Sequence, residues 1–322
     1  MNSICKLLAA CGLVLVISHL KAQTPAGSFK NEFGFRSDND AYLFYGQDRY
    51  YTNGLYIHFR HASDQEKAGQ KTEKRIWEFS AGQGMYNPVS GYSPLAERQD
   101  RPFAGYLYAG AALSQLYKNE SALKLGLQAG VIGPSALGRQ AQELLHKIVG
   151  FYEIRGWEYQ IRDEATLNLS ANYTRLLYRP EDADFDISAE GYANLGNVFS
   201  GAGVSAVFRA GRINQLFNSA YLQATISNHA QQKPLHQTEF YLYIKPQLNF
   251  VAYDATIQGG LFSDNNPVIF GAKPLVFAQQ LGVNYSSRRF TAEFGLTFKS
   301  REVKSPARPH QYGSISLYYR FN

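Results

Sequence analysis

Sulfur is scarce in this chain: two cysteines and two methionines in 322 residues. Both cysteines, Cys5 and Cys11, fall in residues 1–22, which read as a secretory leader. Lys6 supplies the charged start, 7–17 the apolar centre, and Leu20-Lys21-Ala22 the exit. That apolar run is short for a spanning anchor. Leu8-Ala9-Ala10-Cys11 imitates a lipoprotein cleavage box, but apolar residues continue past Cys11. From residue 23 onward the expected chain has no disulfide, no thiol nucleophile and no thiolate metal site. No later stretch is long and apolar enough for a transmembrane helix. Basic runs are missing too: the formal charge of +6 drops to +4 without Lys6 and Lys21, which gives no reason to invoke nucleic acid. With no linker, low-complexity tract or repeat, 23–322 reads as one domain.

Aromatics are abundant instead, with 23 Tyr and 21 Phe against 2 Trp. They sit in short runs that alternate apolar and polar residues, with glycine plentiful. That combination fits an all-β, antiparallel transmembrane β-barrel. A secreted soluble β-sandwich is the alternative, favoured by shorter strands and evenly spaced turns. Strands are predicted near 28–37, 52–62, 74–84, 104–117, 121–133, 163–178, 184–196, 201–211, 238–250, 274–286, 289–300 and 311–321, about twelve in all. Segments 220–228 and 256–262 read equally as strand or connection. In the last strand Ile315, Leu317, Tyr319 and Phe321 share a face, and the aromatic near the carboxyl end is similar to an outer-membrane assembly signal, displaced from the end by Asn322. Connection lengths sort by parity. The loops after strands 1, 3 and 5 (38–51, 85–103 and 134–162) are long, as exterior loops are, and the turns at 118–120 and 179–183 are short. The connections 63–73 and 212–237 are longer than periplasmic turns should be and read as mobile polar loops.

Polar residues cluster where the first two strands meet their loop: Asn39-Asp40, then Asp48-Arg49-Tyr50-Tyr51-Thr52-Asn53-Gly54. Strict alternation puts Leu55, Ile57 and Phe59 on one face and Thr52, Tyr56, His58 and Arg60 on the other, with His58 in the lumen below Thr52. Hard oxygen donors at one rim suggest a cation or a reaction. The third exterior loop is the other focus. Residues 138–149 read as a short helix closed by Gly150, with Ala141, Leu144, Leu145 and Ile148 on an apolar side. Gln142 and His146, four apart, share another face with Arg139 one turn earlier, and Glu143 can pair with Lys147. His146 is placed to serve as a general base, although a solvated histidine is the commoner outcome for such a helix. In the second loop Arg98 and Arg101 are candidates to clamp a phosphate or carboxylate, with an ordinary loop salt bridge equally open.

Taken in order, several segments resemble the LpxR-type lipid A 3′-O-deacylases of the Gram-negative outer membrane. They are Asn39-Asp40, Tyr51-Thr52-Asn53-Gly54, Asp100-Arg101-Pro102-Phe103-Ala104-Gly105, Gly130-Val131-Ile132-Gly133-Pro134, Gln142 with His146-Lys147-Ile148-Val149-Gly150, and Gly156-Trp157-Glu158-Tyr159-Gln160. The resemblance implies a twelve-stranded barrel that removes the 3′-linked acyloxyacyl chain of lipid A with the help of Ca2+. It implies His146 as the base, Asn39, Asp40 and Thr52 at the calcium and active-site rim, and Gln142 in support. Two positions depart from the pattern. Some members carry a Lys-Arg pair in the second loop, where this chain reads Tyr92-Ser93-Pro94-Leu95-Ala96-Glu97-Arg98. Some also carry an acid six residues after the histidine, where this chain has Tyr152.

The expected protein is therefore a monomeric ester hydrolase of the outer leaflet. Its partners are lipopolysaccharide and outer-membrane lipids, with Arg98, Arg101 and Arg139 meeting the glucosamine phosphates. Water activated by His146 is preferred to an acyl-enzyme, because the matched residues include no activated serine or cysteine; Thr52 is the minority nucleophile. An outer-membrane phospholipase and a non-catalytic pore are the competing readings.

Overall fold

The computed structural model describes residues 29–43, 48–67, 69–229 and 232–322, so the expected leader at 1–22 lies outside the described residues. Twelve antiparallel strands close into a barrel. They are β1 (Asn31–Asn39), β2 (Tyr50–Ala62), β3 (Thr72–Asn87), β4 (Ala104–Tyr117), β5 (Ser121–Ile132), β6 (Glu164–Tyr178), β7 (Phe185–Gly196), β8 (Phe199–Arg212), β9 (Glu239–Asp254), β10 (Leu275–Ser286), β11 (Phe290–Lys299) and β12 (His310–Phe321). The ring closes where β1 pairs with β12, from Asn31 opposite Phe321 to Asn39 opposite Gly313. Closure leaves no unpaired strand edge, which a strand bundle in lipid requires. No helix among the described residues is long and apolar enough to cross a membrane.

Alternation decides which side chains meet lipid. Phe33, Phe35, Ile57, Phe59, Trp77 and Phe79 stand exposed on the outer surface. Their neighbours point inward, where Arg60 bonds Glu32 (2.7 Å) and Glu78 (2.5 Å), and Lys124 reaches Glu78 at 3.0 Å. Charges removed from water persist only when paired in this way.

Turns 118–120, 179–184 and 287–289 are short, and they lie at the end where β1 begins, the periplasmic end. At the opposite end the connections 40–49, 88–103, 133–163 and 255–274 are long; 197–198, between β7 and β8, is the exception.

The expectation of mobile polar loops at the periplasmic end is corrected. Segment 213–228 folds back into the barrel as a plug, burying Ile213, Leu216, Phe217, Ala224 and Ile226. Phe217, Ala224 and Ile226 pack on Ala62, Ile76, Leu116 and Ala122 of the inner wall. Lys74 Nζ donates to Asn218 Oδ1 (2.6 Å) and to the Ala224 carbonyl (2.8 Å), while Glu239 accepts from Ser219 Oγ (2.7 Å) and the Ala220 amide (2.8 Å). The second long connection docks on the plug, its buried Gln65 donating from the backbone to Asn228 (3.1 Å). Above the plug lies a polar cavity of about 520 Å³, lined by Arg36, Glu78, Lys124, Glu190 and Lys245 and floored by Tyr221 and Gln223. Neither undecided segment joins the barrel wall. Residues 220–228 begin with a 3-10 turn, Ala220–Leu222, and 256–262 fall within and after a one-turn helix, Ala255–Gln258.

Candidate active site

The site begins with a bulge. In the β2–β3 ladder Tyr51 faces Tyr86 and Asn53 faces Met85, so Thr52 has no partner. An extra residue in one strand re-aims the side chains around it. Strict alternation would send Thr52 into the lumen with Tyr56 and His58, and the structure corrects this. Tyr51 takes the inward position, donating its hydroxyl to Asp38 Oδ2 at 2.7 Å. Thr52 Oγ1 lies beside Asn53 Nδ2 (3.3 Å), and by alternation Asn53 shares the outer face of Leu55 and Ile57. His58 stays in the lumen, its Nδ1 3.8 Å from Glu78.

Helix α1 (Gly138–Val149) supplies the other half. It follows a chain reversal with Gly133 at φ 105° and Leu137 at φ 57°, and it ends on Gly150 at φ 75°, whose amide donates to the His146 carbonyl (2.8 Å). A glycine at that left-handed position stops the helix with little strain. At the helix start, a Cβ added to Gly138 would fall 3.0 Å from Gly105 Cα and 2.8 Å from the Trp157 ring. Gly105 lies on the outward face of β4, and outward-facing Gln83 of β3 donates to the Ala136 carbonyl at 2.6 Å. The helix therefore presses on the outside of the wall at the outer rim rather than over the lumen. Its buried side is polar: Gln142 is 0% and His146 6% exposed.

These two halves meet at Asp48. Its carboxylate accepts from Gln142 Nε2 (3.0 and 3.1 Å), Asn87 Nδ2 (3.0 Å), Tyr152 Oη (2.5 Å) and Thr52 Oγ1. Trp157 Nε1 donates to Gln142 Oε1 at 2.8 Å, which turns the amide NH2 toward Asp48. His146 Nε2 lies 3.2 Å from Asp48 Oδ2, and Nδ1 lies 2.8 Å from the Tyr152 carbonyl. A carbonyl only accepts, so Nδ1 carries hydrogen and Nε2 is the nitrogen that exchanges protons. Asp40, 3% exposed, accepts from the Arg49 amide (2.8 Å) and from Thr52 Oγ1 (3.3 Å).

The electrostatics follow from burial and partners. Burial opposes the charge on Asp48, but hydrogen bonds from His146, Thr52 and Tyr152 outweigh it and hold the carboxyl below its ordinary value. Burial likewise opposes charge on His146, yet the bonds to Asp48 and to the Tyr152 carbonyl raise its proton affinity. Asp40 lacks such compensation. Burial, with the neighbouring charge of Asp48, pushes it up to about 8 although the Arg49 amide and Thr52 pull the other way.

Of the residues expected from sequence, the structure brings together Asp40, Thr52, Gln142 and His146. Asn39 sits at their edge: its amide donates to Asn53 Oδ1 (2.5 Å) and its oxygen accepts the Ala41 amide (2.6 Å), so it shapes the turn that carries Asp40. Arg98 and Arg139 are exposed on the exterior loops, and Arg139 pairs with Glu143 at 2.7 Å, taking the partner expected for Lys147. Arg101 requires a correction. It is 2% exposed, lies over the inward-facing Tyr86 ring and donates to Thr256 Oγ1 (2.6 Å), on the lumen side of the wall from His146. Sequence assigns no role to Asn87 or Tyr152, and none to Asp48 beyond its place in the polar cluster of the first hairpin. Asp48 was visible in its motif four residues before Thr52; Tyr152 stood out only as the missing acid.

The donor set has the chemistry of a hard-cation site. The carboxylates of buried Asp40 and of Asp48, whose side chain is 8% exposed, share one threonine hydroxyl, and Asn87 Oδ1 is buried without a hydrogen-bond partner. Oxygen donors of this kind suit calcium.

Comparison with known proteins identifies the fold and the family. The family model described as outer membrane protein LpxR matches residues 7–321. The solved structure of LpxR from Salmonella typhimurium superposes with a TM-score of 0.72 at 20% identity, covering 90% of this chain and 100% of that one, and shows the shared fold. The translocator domain of the autotransporter NalP from Neisseria meningitidis (TM-score 0.43, 10% identity, 99% and 98% covered) and the beta domain of the Bordetella autotransporter BrkA (0.43, 8%, 92% and 100%) are too distant to carry an argument. Among curated proteins, none matches. With a family match spanning the barrel and both halves of the site, the chain belongs to the LpxR family, and its barrel is a protein of the Gram-negative outer membrane.

Proposed function

We propose that this barrel, whose family membership implies a lipid A deacylase, is a calcium-dependent ester hydrolase that removes the 3′-linked acyloxyacyl chain of lipid A. One observation carries the reading. A histidine with its Nδ1 fixed by a carbonyl faces a buried carboxylate with Nε2, at the outer rim and on the lipid side of the wall.

Ester hydrolysis needs a deprotonated water and a counter to the charge that builds on the carbonyl oxygen. Neutral His146 takes the water proton on Nε2, and Asp48 at 3.2 Å stabilises the imidazolium so formed. The hydroxide oxygen bonds to the ester carbon; the C–O bond to the sugar then breaks, and the departing oxygen takes the proton back from Nε2. The products are a carboxylic acid and a free sugar hydroxyl. Calcium bound by Asp40, Asp48 and Thr52 would supply positive charge beside the developing oxyanion. Thr52 is poorly suited as the nucleophile, because its hydroxyl is committed to Asp48 and Asp40. Gln142, clamped by Trp157, holds Asp48 in place. Arg98 and Arg139 are among the exposed exterior-loop cations available to lipid A phosphates. The plugged periplasmic end argues against the pore reading.

The test is mass spectrometry of lipid A from a host that lacks the activity and expresses this chain. With calcium present, the 3′-acyloxyacyl group should be lost. Intact lipid A, or fatty acid released from glycerophospholipid alone, would overturn the substrate assignment.

A further inference from the structure

Helix α1 has two different exposed sides. Gln142 and His146 face the wall; Arg139, Glu143 and Lys147 are exposed along one side, and Leu144 and Ile148, 58% and 70% exposed, along another. Leu137, Val149 and Phe151 extend this apolar surface at both ends of the helix. A contiguous patch of this kind is unusual on a water-facing loop. The helix rests on the outward face of β3 and β4, above exposed Phe79, so the patch continues the lipid-facing belt upward.

We infer that the outer face of α1 is immersed in the acyl-chain region of the outer leaflet. The occupant is lipid hydrocarbon, because the patch is continuous with a surface already in contact with it. An interfacial helix binds through the apolar area it submerges. Phe151 joins this surface to the reaction centre, its exposed ring meeting the His146 ring edge-on at 5.5 Å. An acyl chain thus passes from the membrane to the imidazole along the α1 surface without entering water. This route deepens the deacylase reading and rests on it; the immersion itself does not.

The two are tested separately. The chain from residue 23 onward has no cysteine, so Ile148→Cys can carry the sole nitroxide label. Glu153→Cys, at a position whose side chain is 71% exposed, serves as the aqueous control. In vesicles of phosphatidylethanolamine and phosphatidylglycerol, the label at 148 should be more accessible to oxygen than to a water-soluble nickel chelate, with the opposite order at 153. Equal nickel access at both positions would overturn the immersion whatever the enzyme's substrate. The double variant Leu144→Gln/Ile148→Gln should lose roughly tenfold or more activity on lipid A in vesicles while keeping wild-type turnover in detergent micelles. An equal loss in micelles would mean that the two side chains support the fold, and would overturn the route.

Discussion

Replacing Asp48 by asparagine should cripple turnover while leaving the barrel assembled. The carboxylate collects hydrogen bonds from Thr52, Asn87, Gln142 and Tyr152 and faces His146 Nε2 at 3.2 Å. The amide keeps the shape, loses the charge and turns one acceptor oxygen into a donor aimed at other donors. General acid–base groups contribute about 10²- to 10⁴-fold, and losing the partner of the imidazolium should remove about 10³ of that, or ~4 kcal/mol of barrier. The pH profile gives a second, sharper readout. Burial lowers the proton affinity of His146, but Asp48 and the Tyr152 carbonyl more than offset it, so the affinity stands above the ordinary 6.5. A base works only when neutral, so wild-type activity should rise with pH through a value above 6.5. Asp48→Asn removes the strongest raising contact, so the residual activity should rise at lower pH. Single-turnover release of acyl chain from lipid A in micelles, followed across pH at saturating calcium, measures both. Turnover within about threefold of wild type, or a limb that does not move, would refute the assignment of Nε2 as the proton acceptor.

The other expectations follow from the same geometry. His146→Ala should abolish hydrolysis while the barrel still migrates as a compact band in cold detergent; near-normal turnover would remove the histidine from the mechanism. Asp40→Ala should raise the calcium concentration needed for half-maximal rate, and an unchanged calcium titration would end its role as ligand. Tyr152→Phe keeps the carbonyl that orients His146 but deletes one donor to Asp48. It should reduce kcat about 10- to 150-fold, the equivalent of one hydrogen bond to a charged group, with the fold intact; wild-type kcat would show the hydroxyl to be dispensable. Replacing 214–237 by a short glycine-serine turn should give stepwise conductance in planar bilayers that the full chain lacks. A silent variant would mean that the lumen is blocked above the plug.

Much of the molecule was legible in one dimension. Period-two alternation located all twelve strands, because a barrel wall puts lipid on one face and a polar lumen on the other at every position. Helix α1 was legible from its punctuation: Gly133-Pro134 before it and Gly150 after it leave little choice of boundary. His146 and Gln142 on one helix, and Asp40 and Thr52 on one hairpin, were readable as local spacing. Local spacing failed at Thr52, because a bulge is a property of two strands in register and only the β2–β3 ladder reveals it. It failed at Arg101, whose loop position gave no hint that the side chain turns into the lumen to Thr256, 155 residues away.

Sequence by itself determined the cylinder, its orientation and the residue types available at its outer rim, since these depend on neighbours along the strand. The tertiary structure alone decided that Asp48, Tyr152 and His146 form one unit and that this unit lies on the lipid side of the wall. Asp48 and Tyr152 stand 104 residues apart, and pairing at that range is set by how strands and helix pack, which no local pattern encodes. The same packing turned 213–228 from an apparent loop into a plug, because its apolar residues had a wall to bury against only once the barrel had closed.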